Sequence, residues 1–326
     1  MPIVSICLTT YNRGNLLRNT IDSILNQTFK DFELIISDDN STDNTSVICN
    51  EYVKKDIRVK YFKNEVNLKM PGNLNSAILK ASGVYIANLH DGDIYRPDLI
   101  EKWFLIIDAN PEVNFVFNQY TMLDSNNNIL RVYNHKFSEV EDGFSIRKYL
   151  YTNLSSAPWG TVMVRKSAYQ KVGNFKPEYG FISDVEMWMR LSKVGKVGYV
   201  NEPLIDLTPR ERNHKYYYPE ANIFYINLLI VFDYYKNEQN IISVDKNIII
   251  KKIKNQLRQE MLLLVKYKKI SRLKGFNYLL YHSGFMFELF YLIPLFVLSF
   301  KKPQQVDLIK WKSICRMTNL YQNEFC

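Results

Sequence analysis

Two carboxylates, Asp91 and Asp93, follow directly on the apolar run 84–89, and their spacing suits metal-assisted chemistry on phosphates. The run predicts a buried strand, so the pair emerges at the carboxyl end of that strand. Two like charges so close together repel one another unless a cation lies between them, and a hard divalent ion with oxygen ligands is the natural partner. An ordinary acidic turn around Gly92 is the alternative, because Asp and Gly are frequent turn residues.

A second acidic pair, Asp38 and Asp39, follows another predicted strand in the same way. The hydrophobic pattern predicts strands at 4–10, 31–36, 59–62, 84–89 and 114–118, and helices at 16–25, 47–54, 71–81 and 97–109. Strands alternating with helices predict an α/β fold with a doubly wound, mostly parallel sheet. Ligands bind beyond the carboxyl ends of such strands, where both acidic pairs lie. This agreement favours a binding site over two acidic turns.

The sequence lacks the motifs of several classes of nucleotide-binding protein. No G-x-G-x-x-G sequence follows the first strand and no G-K-[ST] loop occurs, which argues against dinucleotide oxidoreductases and P-loop proteins. A sugar nucleotidyltransferase would carry a Gly-rich, basic loop after the first strand, and residues 9–13 do not form one.

Composition predicts a globular chain in a reducing compartment. The 326 residues are 47% hydrophobic and 23% charged, as is usual for globular proteins. The 4 cysteines show neither metal-type nor disulfide spacing, and the first residues form no secretory signal. We therefore expect a cytoplasmic protein.

The net charge of +9 is concentrated toward the carboxyl terminus, where residues 246–316 hold 15 Lys and Arg against three acidic residues. A basic region predicts an anionic partner, and no base-reading module supports nucleic acid. The apolar run 289–300 is shorter than the roughly 20 residues of a spanning helix. A helix lying on the membrane surface fits this run, and a buried bundle helix or the interface of a homo-oligomer is the alternative.

Five segments together resemble the family 2 glycosyltransferases of the GT-A fold. They are Val4–Arg13, Ser23–Thr28, Asp38–Thr45, Ala157–Arg165 and Ile182–Leu191, in the order that the family has them. The resemblance covers about residues 3 to 210. It implies a Rossmann-like GT-A domain that transfers a sugar, with inversion, from a nucleotide-sugar donor to a glycan or lipid-linked acceptor in surface polysaccharide synthesis. It also implies a Mn²⁺ or Mg²⁺ cofactor.

The resemblance assigns residues to the donor. Thr9 and Tyr11 match positions that line the base, and Asp39 matches the carboxylate that accepts a hydrogen bond from uracil or thymine, which implies a UDP- or dTDP-sugar. Asp38 is either a ligand contact or a turn residue. The implied donor-binding set is Thr9, Tyr11, Arg13, Asp39, Asn73, Asn75 and Asp91.

The resemblance also assigns the metal site. Asp91-Gly92-Asp93 occupies the D-x-D position, and His90 stands where the family often has another Asp, so which carboxylate touches the ion stays open. His214, in the basic loop 209–215, is a further implied ligand, with a solvated loop as the alternative.

Asp184 matches the catalytic base of the family's E-D-x-x-x-W motif, four residues before Trp188. A helix-capping role is the alternative, and Glu186 is a second candidate base. Ser183 replaces the Glu of the motif, so the competing function is a non-catalytic nucleotide- or carbohydrate-binding relative.

The sequence therefore predicts a GT-A domain over 1–215 and a helical, basic extension over 216–326. We expect a protein peripheral on the inner face of the cell membrane.

Overall fold

A computed structural model describes residues 1–153 and 155–208, together with Ile230, Val231, Tyr234, Glu238, Ile248 and Lys251. Apart from these six residues, the predicted carboxyl-terminal extension lies outside the described residues, as do the apolar run 289–300 and His214. In the part that is described, no helix is both long and apolar enough to cross a bilayer.

Strands and helices alternate through the first half of the described chain. The strands are β1 Val4–Thr10, β2 Phe32–Asp38, β3 Val59–Lys63, β4 Tyr85–His90, β5 Ile94–Tyr95, β6 Val113–Leu123, β7 Ile129–Tyr133, β8 Val140–Glu141, β9 Val162–Arg165 and β10 Lys196–Leu207. The helices are α1 Gly14–Leu25, α2 Thr45–Lys55, α3 Lys69–Lys80, α4 Leu99–Ala109, α5 Gly143–Asn153, α6 Lys166–Val172 and α7 Ser183–Lys193, with a 3₁₀ turn at Pro177–Ile182 before α7.

One sheet with the order β3-β2-β1-β4-β9-β6-β10-β5 forms the centre of the described residues. Strand β1 is parallel to both neighbours, with Thr10 opposite Asp38 of β2 and Thr9 opposite His90 of β4. The chain runs outward from β1 to β3 and then crosses back to β4 on the other side of β1. The carboxyl end of β1 is therefore the topological switch point, where open α/β sheets bind ligands.

Helices cover both faces of the sheet. Along β1, Ile6 and Leu8 belong to a core with α1, α2 and α4, whereas Cys7 belongs to the opposite core with α3 and α7. Side chains alternate between the faces of a strand, so Thr9 lies on the face that α3 and α7 cover. On β4, Asn88 donates a hydrogen bond to the Tyr169 hydroxyl of α6 on that same face, and His90 follows two residues later.

The predicted α/β, mostly parallel architecture is confirmed, with one refinement. Strand β9 runs antiparallel between β4 and β6, so the sheet is mixed. The short strands β5, β7 and β8 were not predicted, because β5 and β8 have two residues each and β7 is almost wholly exposed, so it carries no buried apolar run.

Candidate active site

The two acidic pairs lie on either side of the chain as it leaves β1. The Asp39 amide donates to the Thr10 carbonyl at 3.0 Å, and β4 ends at His90 on the other side. With strands about 4.8 Å apart, the ends of β2 and β4 are separated by roughly 10 Å. The predicted position of both pairs at strand carboxyl ends is confirmed.

The turn from β1 into α1 is tied to the loop after β2. The Asn12 amide donates to Ser41 Oγ at 2.8 Å, and Asn12 Oδ1 accepts from the Thr42 amide at 2.8 Å. Asn12 adopts a φ of 52°, a left-handed conformation that Asn tolerates better than most residues. Tyr11 and Arg13 flank Asn12 and are partly exposed, so both stand at the switch point, next to the buried Thr9.

Asp38 and Asp43 stabilise the loop between β2 and α2. Buried Asp38 accepts hydrogen bonds from the Ser41 amide at 2.9 Å and the Tyr61 hydroxyl at 2.7 Å. Asp43 accepts from the Gly14 amide at the start of α1 at 3.0 Å. For Asp38, these contacts favour the turn role over ligand contact.

Asp39 connects the end of β2 to the segment before α3. Its carboxylate accepts the Leu68 amide at 2.7 Å, the Lys69 amide at 2.8 Å and the Asn64 side chain at 3.1 Å. An ionised carboxylate offers about four acceptor positions, so the protein itself uses most of them. Sequence reasoning missed this segment, since the amide donors lie about 30 residues further along the chain.

Asn73 and Asn75 of α3 make structural contacts. The Asn73 side chain is buried, accepts from Ser37 Oγ at 2.7 Å and donates to the Ser37 carbonyl at 3.0 Å. The Asn75 side chain bonds both the amide and the carbonyl of Phe175, at 3.1 and 2.8 Å. They hold α3 to β2 and to the turn after α6.

The turn that carries Asp91 and Asp93 is held by its neighbours. Gly92 has a φ of 85°, which favours glycine. The Thr20 hydroxyl of α1 accepts from the Gly92 amide and donates to the Asp93 carbonyl, both at 3.0 Å. The Asp93 side chain is fully buried, whereas Asp91 is partly exposed, so Asp91 is the carboxylate that a ligand reaches first.

The same turn is also held at His90 by β5 and at Gly92 by the residue after β10. The His90 amide donates to the Tyr95 hydroxyl, which donates in turn to the His90 carbonyl, both at 2.8 Å. Thr208, just after β10, donates its hydroxyl to the Gly92 carbonyl. Nothing in the sequence pattern singled out Thr20, Tyr95 or Thr208 as supports of this turn.

Within the described residues, no group of three or more His, Cys, Asp or Glu side chains could hold a metal by itself. The donor set nevertheless fits Mg²⁺ or Mn²⁺, because such ions are commonly held by one or two carboxylates together with substrate phosphates and water. Asp91 has the required chemistry and accessibility.

Asp184 lies in the first turn of α7 and is partly exposed. Its Oδ1 accepts the Val185 amide at 2.8 Å, and it forms no ion pair within the described chain. Burial raises the pKa of Asp184 to about 6 and outweighs the opposing hydrogen bond from Val185. A carboxylate with this pKa is ionised at neutral pH yet binds a proton more readily than an ordinary Asp.

Glu186, the second candidate base, occupies a different environment. It is fully buried and contacts Arg190 Nε at 2.9 Å, Lys176 Nζ at 3.0 Å and the Tyr234 hydroxyl at 3.0 Å. These three partners engage both oxygens of its carboxylate, so the structure disfavours Glu186 as a base. Trp188 is a core residue that stacks on Phe115 at 5.5 Å.

A doubly wound α/β sheet with acidic turns at its switch point defines a nucleotide-binding class of fold. The model of the glycosyl transferase family 2 matches residues 5–173, and the chain belongs to this family.

Two relatives support this membership. An uncharacterized glycosyltransferase of Methanocaldococcus jannaschii is 34% identical over 195 residues, covering 58% of this chain and 64% of the relative. The GalNAc(5)-diNAcBac-PP-undecaprenol beta-1,3-glucosyltransferase of Campylobacter jejuni is 31% identical over 194 residues, covering 59% and 60%. The chain therefore spans less than two thirds of the length of either relative.

Solved structures share the fold. Staphylococcus aureus TarS 1-349 in complex with UDP-GlcNAc superposes with a TM-score of 0.59 at 19% identity, covering 76% of this chain and 70% of that one. At this identity the likeness establishes the GT-A architecture alone.

Proposed function

We propose that this protein transfers a sugar, with inversion, from a UDP- or dTDP-sugar to a hydroxyl of a glycan or lipid-linked acceptor in surface polysaccharide synthesis. One observation carries the proposal. In a family 2 chain, Asp184 keeps a pKa near neutrality on α7, which covers the sheet face of Thr9. That combination provides a base on the same face of the sheet as Thr9.

The donor nucleotide occupies the switch point in this proposal. Thr9, Tyr11 and Arg13 lie there, and TarS, which shares the fold, has been solved with UDP and with UDP-GlcNAc. Asp39 contributes its remaining acceptor position to the base and holds residues 64–69 in place. Asn73 and Asn75 act through α3, which they fix beside the donor.

A divalent ion completes the donor site. Asp91 would hold it directly, while Asp93 keeps the turn in shape and His214 is a further candidate ligand. When bound, Mn²⁺ or Mg²⁺ supplies positive charge to the leaving diphosphate.

Asp184 acts on the acceptor. As the acceptor oxygen forms its bond to the anomeric carbon, the bond from that carbon to the diphosphate oxygen breaks on the opposite side. The hydroxyl proton passes to the Asp184 carboxylate. Inversion follows from this single displacement.

The predicted extension 216–326 is part of the proposal as a membrane-surface region. Its support is the basic charge of residues 246–316 and the undecaprenol-linked substrate in the name of the C. jejuni relative. Such a region would keep the GT-A domain of 1–215 near lipid-linked acceptors on the inner membrane face.

A nucleotide-sugar screen tests the function. The thermal unfolding of the purified protein is measured with UDP-, dTDP-, GDP- and ADP-sugars in the presence of Mn²⁺. A ligand that binds the folded state raises the midpoint temperature of unfolding. We expect a UDP- or dTDP-sugar to raise it most and to be hydrolysed slowly in a metal-dependent reaction. Stabilisation without hydrolysis or transfer would identify a non-catalytic binder, and no stabilisation by any nucleotide sugar would contradict the proposal.

A further inference from the structure

Three aromatic rings and a guanidinium contact one another in a row on β6, β7 and the loop before β9. We call Trp159, Tyr120, Tyr133 and Arg131 the aromatic row. Trp159 lies 5.5 Å from Tyr120, Tyr120 stacks on Tyr133 at 4.6 Å, and the Arg131 guanidinium lies 4.5 Å from the Tyr133 ring. Tyr120 is 6% exposed, whereas Trp159 is 41% exposed. The row thus consists of a buried support with an indole open at one end.

The backbone next to Trp159 lies beside the residue that precedes the proposed metal turn. A Cβ atom on Gly160 would come within 2.5 Å of His90 Nε2, so the backbone that follows Trp159 packs directly on His90. His90 immediately precedes Asp91. Gly160 therefore permits a close approach that brings the row to the carboxyl end of β4.

A second route links the same elements across the sheet. Tyr120 of β6 is opposite Ile205 of β10, and Ile205 is opposite Tyr95 of β5. The Tyr95 hydroxyl bonds the backbone of His90. The position of the row relative to the metal turn is thus fixed from both ends.

The sheet order puts the row on the far side of the metal turn from the nucleotide. Strands β2 and β1, which carry the proposed nucleotide contacts, lie on one side of β4, and β9 and β6 lie on the other. An acceptor in an inverting displacement approaches opposite the leaving diphosphate. It therefore enters from the side of the aromatic row.

We infer that the aromatic row binds a pyranose of the acceptor, which makes the acceptor a glycan rather than a simple lipid alcohol. Exposed indole is well suited to this, because its electron-rich face packs against the weakly positive C–H groups on one side of a sugar ring. Trp and Arg are also enriched among residues that dominate binding energy. This inference rests on the proposed function for the direction of attack.

Saccharide binding to the full chain tests the inference independently of turnover. Saturation-transfer NMR with methyl β-glycosides, cellobiose, lactose and chitobiose, in UDP and Mn²⁺, measures affinity for wild type and Trp159→Ala. We expect at least one saccharide to bind wild type and to lose about tenfold in affinity in the variant. Trp159→Phe should retain most affinity. Leu105→Ala, which truncates a side chain on α4 that is 60% exposed, should change nothing.

Each outcome of this experiment either supports or overturns the inference. If Trp159→Ala does not fold, Tyr133→Leu replaces it as the test. This substitution removes a supporting ring and should weaken binding of the same saccharide. Equal affinity in the variants, or no saccharide bound to wild type, would overturn the inference while leaving UDP binding intact. If the wild type does not bind UDP but still binds a saccharide that Trp159→Ala weakens, the proposed function is overturned and the aromatic row remains a sugar-binding site.

Discussion

The carboxylates of the loop after β2 and the carboxylate of Asp184 share one chemistry and differ in surroundings. Burial tends to raise the pKa of Asp43, but hydrogen bonds from Thr45 and Gly14 outweigh it and lower that pKa. Asp184 is desolvated too, yet only backbone amides, those of Val185 and of Asp184 itself, oppose the effect of burial, and its pKa rises to about 6. Carboxylates with many donors hold backbone in place, and one with few donors keeps its affinity for protons.

Helix α7 repeats this contrast over two residues. Glu186 is enclosed by Arg190, Lys176 and Tyr234, whereas the hydrogen bonds that lower the pKa of Asp184 come from backbone amides alone. Residues two apart on a helix point in different directions, so one turn of α7 can direct Glu186 into the core and leave Asp184 partly exposed. The contrast predicts opposite consequences for the two substitutions.

The largest effect is expected at Asp184. Asp184→Asn keeps the acceptor oxygen for the Val185 amide but removes the base, so kcat should fall by about 10²–10⁴-fold. UDP affinity, measured by titration calorimetry, should be unchanged. Unaltered turnover would make Asp184 a helix-capping residue.

The pH dependence sharpens this test. Wild-type kcat should rise with pH through about 6 and reach a plateau, because the base must be ionised. The folded pKa lies above the unfolded value, so the contribution of Asp184 to the free energy of unfolding is lost as pH rises from about 4 to 6. Asp184→Asn should therefore gain about 1–2 kcal/mol of stability at pH 7. A less stable variant would indicate that Asp184 is a structural residue.

Glu186→Gln should instead lower the free energy of unfolding by about 3 kcal/mol, because it leaves the largely buried Arg190 without its counter-ion. Urea denaturation measures the change. The matched control is Glu202→Gln, since Glu202 pairs with Lys102 at 2.6 Å but is 54% exposed, and a shift of at most about 1 kcal/mol is expected. Similar shifts in the two variants would remove the distinction between the acids.

A smaller effect is expected at Asp39. Asp39→Ala frees the Leu68 and Lys69 amides and should cost about 1–3 kcal/mol of stability and about tenfold in UDP affinity. Asp124→Ala is the control, because partly exposed Asp124 also accepts two backbone amides, from Asn126 and Asn128, but follows β6, which is four strands away from β2 in the sheet. Unchanged UDP affinity in Asp39→Ala would rule out both a base contact and a supporting role for Asp39.

Much of the fold was predictable because apolar runs mark buried strands and acidic residues mark their carboxyl ends. The segment Ala157–Arg165 is recognised only through its resemblance to the family, and the antiparallel direction of β9 within it depends on pairing with β4 and β6. Local sequence carries no information on that pairing.

The position of the site could be predicted from the sequence, but the roles of its individual residues could be predicted less well. Asp184 and Glu186 both read as acids in the first turn of a helix, and only tertiary contacts separate them. Likewise, the partners of Asp39 come from residues 64–69, which no periodic pattern connects to β2. Burial and long-range hydrogen bonds are properties of the folded chain, so these roles had to be found in the structure.

The bond from Thr208 to Gly92 has a practical consequence for anyone dissecting this chain. Thr208 is the first residue after β10, and its hydroxyl donates a hydrogen bond to the turn that carries Asp91. A fragment that ends at Leu207 would keep the ten strands of the described residues but would lose the hydrogen bond that holds this turn. We therefore expect the smallest useful expression fragment to end beyond residue 208.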